Sequence, residues 1–251
     1  MFYPASHDSL AAQVDGFLAH VPDGAAPSAI LVPHAGYVYS GSTAAYAYAL
    51  WRDAPIKHVV IVGPTHRVGI EAIALPDADA MTTPLGDVPI WAAGAEIALE
   101  LPQVVASARV HAEEHSLEVQ LPFLQRTLAD FDVLPLAAGW VTPEAVALVL
   151  EALWPTPDLG IVISSDLSHY HRYEQAQRID KGTINQVLAL DPTIDHDQAC
   201  GATGLDAMLL VAAAHDLTPR LLHACNSGDT AGDKERVVGY ASVAFTEELA
   251  S

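Results

Sequence analysis

Short apolar runs rich in β-branched residues alternate along the chain with longer Ala- and Leu-rich stretches of helical spacing. The runs predict strands over 29–33 (AILVP), 58–63 (HVVIVG), 70–75, 132–137, 159–164, 219–224 and 237–245. The stretches between them predict helices over 8–19, 41–51, 92–101, 114–129, 143–153, 173–190 and 201–215. Thr142 before Pro143 marks a helix start: a hydroxyl that can cap orphan amides, then a ring whose fixed φ suits the first helical position. Strands that are apolar throughout must be covered on both sides. The pattern therefore predicts an α/β fold, with a mostly parallel central sheet flanked by helices on both faces. No repeat or low-complexity tail interrupts it, and a single domain over 1–251 is expected. The segment 76–91 (PDADAMTTPLGDVPIW) carries three prolines and predicts a loop or lid.

Charge narrows the partners. The chain has 31 acidic and 11 basic side chains, a formal net charge of −20. Nucleic acid and anionic membrane surfaces need Lys and Arg, so both are excluded as expected partners. No apolar stretch reaches the length of a membrane span. The opening MFYPASHDSL lacks a basic segment followed by an apolar one, so a cytoplasmic location is expected. Two cysteines make no disulfide framework.

The polar residues at the strand ends carry the candidate chemistry. His34 follows AILVP, His66 follows HVVIVGPT, and Asp166 and His169 follow LGIVISS. CNSGDTAGD, after the strand near 219–224, supplies Asn226, Asp229 and Asp233. Ligands of open α/β sheets bind beyond the carboxyl ends of the strands, so convergence there would assemble one site. Two imidazoles and a carboxylate suit a divalent ion with open positions, either for Fe(II) oxygen chemistry or for activating water. Twelve histidines make single placements unremarkable, and only convergence would be informative. A competing pattern is HAEEH, in which His111 and His115 would hold zinc and Glu114 would act as the base of an inverted zinc peptidase, with Glu174 as the downstream carboxylate. That needs both histidines on one helix face, whereas the surrounding sequence starts the helix near residue 113 or 114. The plainer alternative is an acidic helix N-terminus, from which His115 projects towards the site. Pro122 predicts a kink or restart of that helix.

Seven ordered segments then resemble one family: FYPAS (2–6), VPHAGYVYSGSTAAYAY (32–48), VVIVGPTHR (59–67), EEHSLEVQLPFLQ (113–125), VISSDLSHY (162–170), CGATGLDAMLL (200–210) and NSGDTAGDKERVVGYASVAF (226–245). The chain resembles the Memo family, called AmmeMemoRadiSam system protein B in prokaryotes, whose fold is similar to that of the class III extradiol dioxygenases. The resemblance implies a non-haem metal-dependent oxidoreductase with a 2-His-1-carboxylate site, most simply for Fe(II), with Zn or Cu as alternatives, acting on a small aromatic substrate. It places metal ligands at His34 and His66, and the acid/base group at His169. Asp166 and His115 join them in the cleft, and Tyr37, Tyr39 and Asn226 are expected near the substrate. Counting back from VVGYASVAF puts the third-ligand position of the family near Asp229 or Thr230; Asp229, which restores a carboxylate, is the expected ligand, with Cys225 as the alternative. The resemblance also implies a second class of function: a non-catalytic accessory protein working with a radical-SAM protein and a third small partner.

Overall fold

The fold is known from a computed structural model that describes residues 2–247. Its centre is four parallel strands: β1 (Ala29–Val32), β2 (His58–Pro64), β7 (Asp132–Ala138) and β8 (Leu159–Ser164). They lie in the order β1-β8-β2-β7. Beyond β7 the sheet continues through β3 (Ile73–Leu75) and β6 (Val104–Ala106), and beyond β1 through β11 (Val237–Glu247) and β10 (Leu217–Asn226). The β3–β7, β1–β11 and β10–β11 pairings are antiparallel. A ninth strand, β9 (His169–His171), pairs with β11. This is the predicted α/β architecture with antiparallel margins.

Each central strand is buried on both faces because two hydrophobic cores flank it. In β2, Val60 and Val62 face one core while Val59 and Ile61 face the other, as the period-2 alternation of a strand requires. Helices α1 (His7–Leu18), α2 (Tyr37–Tyr48) and α5 (Leu121–Thr127) pack together on the second side. Helices α3 (Ala92–Leu99), α6 (Pro143–Leu153) and α8 (Ala202–Ala214) cover the first. The side chain of Thr142 accepts the amide of Ala145 and caps α6, as the sequence predicts. Helix α7 (Tyr173–Leu188) covers β10 and β11.

Two expectations are corrected, the Pro122 alternatives resolve to the restart, and one strand is added. Residues 76–91 contain a hairpin, β4 (Ala80–Thr83) and β5 (Gly86–Pro89), turned at Pro84 and Leu85 and closed by Gly86, whose φ of 120° is open to glycine. The predicted helix over 114–129 is only a 3₁₀ turn over 118–120 followed by α5. Pro122 sits in the first turn of α5, where its missing N–H is harmless, so the proline starts this helix and does not kink it. Strand β9 was not anticipated, because three residues reading HYH carry no strand pattern.

The order β1-β8-β2 makes neighbours of three strands whose carboxyl ends lead to His34, Asp166 and His66. Tight packing beneath them is testable with two glycines of opposite behaviour. A Cβ on Gly204 of α8 would lie 2.8 Å from Val62 Cγ1, whereas one on exposed Gly182 of α7 meets nothing within 4 Å. Gly204→Ala is expected to destabilise the protein by about 1–3 kcal/mol through overpacking. Gly182→Ala should stabilise it by roughly 0.5–1 kcal/mol through helix propensity. Urea titrations of both variants check the opposite signs.

Candidate metal centre

The carboxylate of Asp166 ties two neighbouring strand ends together. Its Oδ1 accepts the amides of His34 (2.8 Å) and Ala35 (3.2 Å), which lie beyond β1, although Asp166 itself lies beyond β8. It is thus a buried structural acceptor at the base of the site, with Oδ1 on backbone amides while the residue also borders the cleft.

His34 is held by its ring as well. Ser164 Oγ lies 2.9 Å from His34 Nδ1. That hydroxyl already donates to Ser116 O (2.6 Å) and accepts from Gln120 Nε2 (2.8 Å). A carbonyl can only accept, so the serine proton is committed and His34 must carry its own proton on Nδ1. Its Nε2 is left with a lone pair. At 2 % exposure the ring is dry, and burial pushes its pKa down to about 4, with Asp166 opposing only in part. His34 is therefore a neutral imidazole with one free nitrogen, the state a metal ligand requires.

His66 is fixed by Glu114. Its backbone amide donates to Glu114 Oε2 (2.5 Å) and its Nδ1 lies 2.9 Å from Oε1. The same Oε1 also accepts the amides of His115 (2.8 Å) and Ser116 (2.9 Å). Burial alone would raise the carboxyl of Glu114, but these hydrogen bonds outweigh it and hold the pKa at about 2. A permanent carboxylate only accepts, so His66 Nδ1 donates and its Nε2 is free. This is the carboxylate–histidine arrangement that orients and strengthens metal-binding imidazoles. Ser116 Oγ donates to Pro64 O (2.9 Å), strapping the same loop across the end of β2.

His115 completes the cluster. One ligand atom from each of His34, His66 and His115 lies within 4.8 Å of the other two. Nitrogens about 2.1 Å from one tetrahedral ion lie roughly 3.4 Å apart, so the three would have to draw together by up to about 1.4 Å to share an ion. The His66 and His115 rings stack at 4.8 Å, and His34 meets both edge-on at 5.2 and 5.6 Å. Phe2 stacks on the outer face of His115 at 4.1 Å. A thiol also reaches the cluster: Cys200 Sγ lies 3.2 Å from His34 Nε2. Burial pushes that thiol up to about 12, so without an ion it is protonated and donates to the imidazole.

Three predicted residues thus converge, and His169 joins them on the wall of one cleft of about 1180 Å³, together with Tyr39, Tyr170 and Arg236. The expected third ligand does not converge. The oxygens of Asp229 are taken by Tyr173 Oη (2.5 Å) and the amide of Asn226 (3.0 Å), where the residue closes a capping box on a 3₁₀ turn. Asn226 accepts the amide of Gly228 (2.9 Å) in that box. Cys225 bonds Thr43 Oγ1 at 3.1 Å. Asp229, Asn226 and Cys225 border a separate cavity of about 550 Å³. Tyr37 lies in the core, its hydroxyl donating to Val119 O (2.6 Å), and only Tyr39 reaches the cleft. A site of two imidazoles and one carboxylate is therefore replaced by three imidazoles beside a thiol. The peptidase geometry is also absent. The short helix α4 (Ala108–His111) stops at His111, whose Nε2 pairs with Ala74 O (2.8 Å), so His111 and His115 share no helix face.

Sequence reasoning missed the supporting residues. Glu114 was read as a possible base, not as the acceptor that orients His66. Ser164 sits inside an apolar strand, and nothing near Cys200 in the sequence announces that its thiol will lie against His34.

Comparison with known proteins agrees with the site's motifs. A family model described as Memo-like protein matches residues 1–244. A MEMO1 family protein of Aquifex aeolicus is 35% identical, over 97% of this chain and 96% of its own. One from Archaeoglobus fulgidus is 34% identical over the same shares, and one from Thermoplasma volcanium is 32% identical over 99% of this chain and 96% of its own. The match runs nearly end to end and includes every segment that builds the histidine cluster, and the chain belongs to the Memo family.

Proposed function

We propose that the protein is a metal-dependent oxidoreductase in which His34, His66 and His115 hold one divalent ion and the cleft above them receives a small planar substrate. One observation carries the reading: His34 and His66 each have Nδ1 committed to a fixed acceptor, Ser164 and Glu114, so that their free nitrogens turn towards a common point. Nitrogen donors with a nearby thiol favour a transition metal or zinc over magnesium or calcium. Fe(II) is the proposed ion, and it would supply the redox chemistry that oxygen-dependent oxidation of an aromatic diol needs.

The chain's own groups do the rest. Asp166 and Glu114 hold the strand ends and the imidazole orientations. Phe2 shields the outer face of His115 from water. His169, on the cleft wall and of the residue type suited to proton transfer near neutral pH, takes a proton from the substrate and returns it. The radical-SAM protein and the third small protein implied by the family resemblance are proposed as partners, and co-purification tests them. Among the described residues no helix is long and apolar enough to cross a membrane.

Metal analysis of protein purified without chelator is expected to find about one ion per chain, following the three-imidazole geometry of mononuclear sites. His34→Ala and His66→Ala should lose it, and Asp229→Ala should retain it. Glu114→Gln should weaken binding by about 10–100-fold, because the His66 orientation goes with it. Loading with Fe(II) under anaerobic conditions and then adding oxygen and a panel of catechols should give oxygen uptake. A protein that retains its metal but consumes no oxygen with any of them would favour the accessory reading.

The buried imidazole also predicts a pH dependence. A histidine whose folded pKa is lowered binds fewer protons folded than unfolded, so stability rises with pH between the two values. The metal-free protein should keep the full contribution of His34 above about pH 6.5 and lose it progressively down to about pH 4, by an amount on the order of 3 kcal/mol. Chemical denaturation across that window, compared with His34→Gln, reads the difference.

A further inference from the structure

At the mouth of the cleft, a strained aromatic residue and an arginine without an ion-pair partner form a feature to which the proposed chemistry assigns no task. Tyr170 is the middle residue of β9 and has φ = 61°, the left-handed region that a tyrosine rarely adopts. Its neighbours His169 and His171 are tied to β11, and Tyr170 projects outward with 63 % exposure. The guanidinium of Arg236, which precedes β11, lies over the Tyr170 ring at 5.0 Å. Among the described residues Arg236 is the only Lys or Arg bordering the cleft. Among the described residues its side chain makes no ion pair and no hydrogen bond, whereas neighbouring Arg172 pairs with Glu235. Its donors are therefore free towards the cleft.

Four carboxylates share this cleft; three of them, Asp166, Asp195 and Asp233, each accept two backbone amides through one oxygen, whereas among the described residues Asp197 accepts none. Asp166 Oδ1 accepts from His34 and Ala35, Asp195 Oδ1 from Asp197 and Gln198, and Asp233 Oδ1 from Glu235 and Arg236. A guanidinium presents a planar fork that suits an oxyanion, and the ring beneath it gives a flat body something to stack on. A single guanidinium balances one negative charge, and a net charge of −20 disfavours a dianion.

We infer that Arg236 and Tyr170 are specificity-determining residues that recognise a substrate with one carboxylate on a planar, aromatic body. The inference deepens the proposed reading, since it rests on the cleft being the substrate site, but its test needs no metal. Chelator-stripped full-length protein at pH 8 and low salt is titrated with benzoate, benzyl alcohol and phenyl phosphate by ligand-observed NMR. Benzoate should bind at least tenfold more tightly than benzyl alcohol. Arg236→Gln should remove that preference, Arg236→Lys should keep only part of it, and Tyr170→Asn, a residue that tolerates this φ, should weaken benzoate severalfold. Equal binding of acid and alcohol, no saturable benzoate binding, or an unchanged preference in Arg236→Gln would overturn the inference. Tighter binding of phenyl phosphate than of benzoate would overturn the assignment to a carboxylate. Failure of the metal reading would show separately, in the metal content of the wild type and histidine variants.

Discussion

The site depends on the adjacency of β1, β8 and β2 and on the carboxylate that joins two of their ends. Parallel strands in register bring every loop at one edge of the sheet to the same level, but they do not hold those loops still. Asp166, receiving two amides from the end of β1 while standing at the end of β8, supplies that fixation. Glu114 does the same for the end of β2, gathering amides from His66, His115 and Ser116 around one buried charge. Charge-assisted hydrogen bonds of this kind are stronger than neutral ones, and an acceptor removed from such a position would leave several buried donors unpaired.

This arrangement separates two jobs that a carboxylate can do near a metal. In a 2-His-1-carboxylate centre an acidic side chain binds the ion directly. Here Glu114 and Oδ1 of Asp166 accept backbone amides and a ring N–H, and an ion held by the proposed cluster would meet imidazoles beside a thiol. The consequence is a softer donor set with a lower formal charge, held by a rigid surrounding shell. The neutral state of His34 follows from the same economy of protons: its hydroxyl partner has already committed its hydrogen to a carbonyl, and burial disfavours a second proton on the ring.

The strongly acidic surface sets the context for anything entering the cleft. Long-range repulsion weakens over a distance of about 8 Å at physiological salt, so local groups decide recognition once a ligand reaches the mouth. At that point Arg236 is the local cation, and the histidines on the walls offer donors and acceptors without adding fixed charge.

Much of the fold was legible in the order of residues, because a doubly covered parallel strand has to be apolar throughout and the helices between such strands have to be amphipathic. His34, His66, Asp166 and His169 could be named as strand-end groups for the same reason, and the ordered motifs pointed to the family. Local pattern was silent on the partners of those groups. Ser164, Glu114 and Cys200 lie 130, 48 and 166 positions from the imidazoles they touch. Asp229 looked equally available in one dimension, yet a capping box and a tyrosine hydroxyl had taken its oxygens. Side-chain chemistry and periodicity are local properties and so could be read from the chain by itself. Which acceptors are already occupied, and therefore which nitrogens remain free for an ion, is settled only when distant strand ends are packed against one another and every buried donor has found its place.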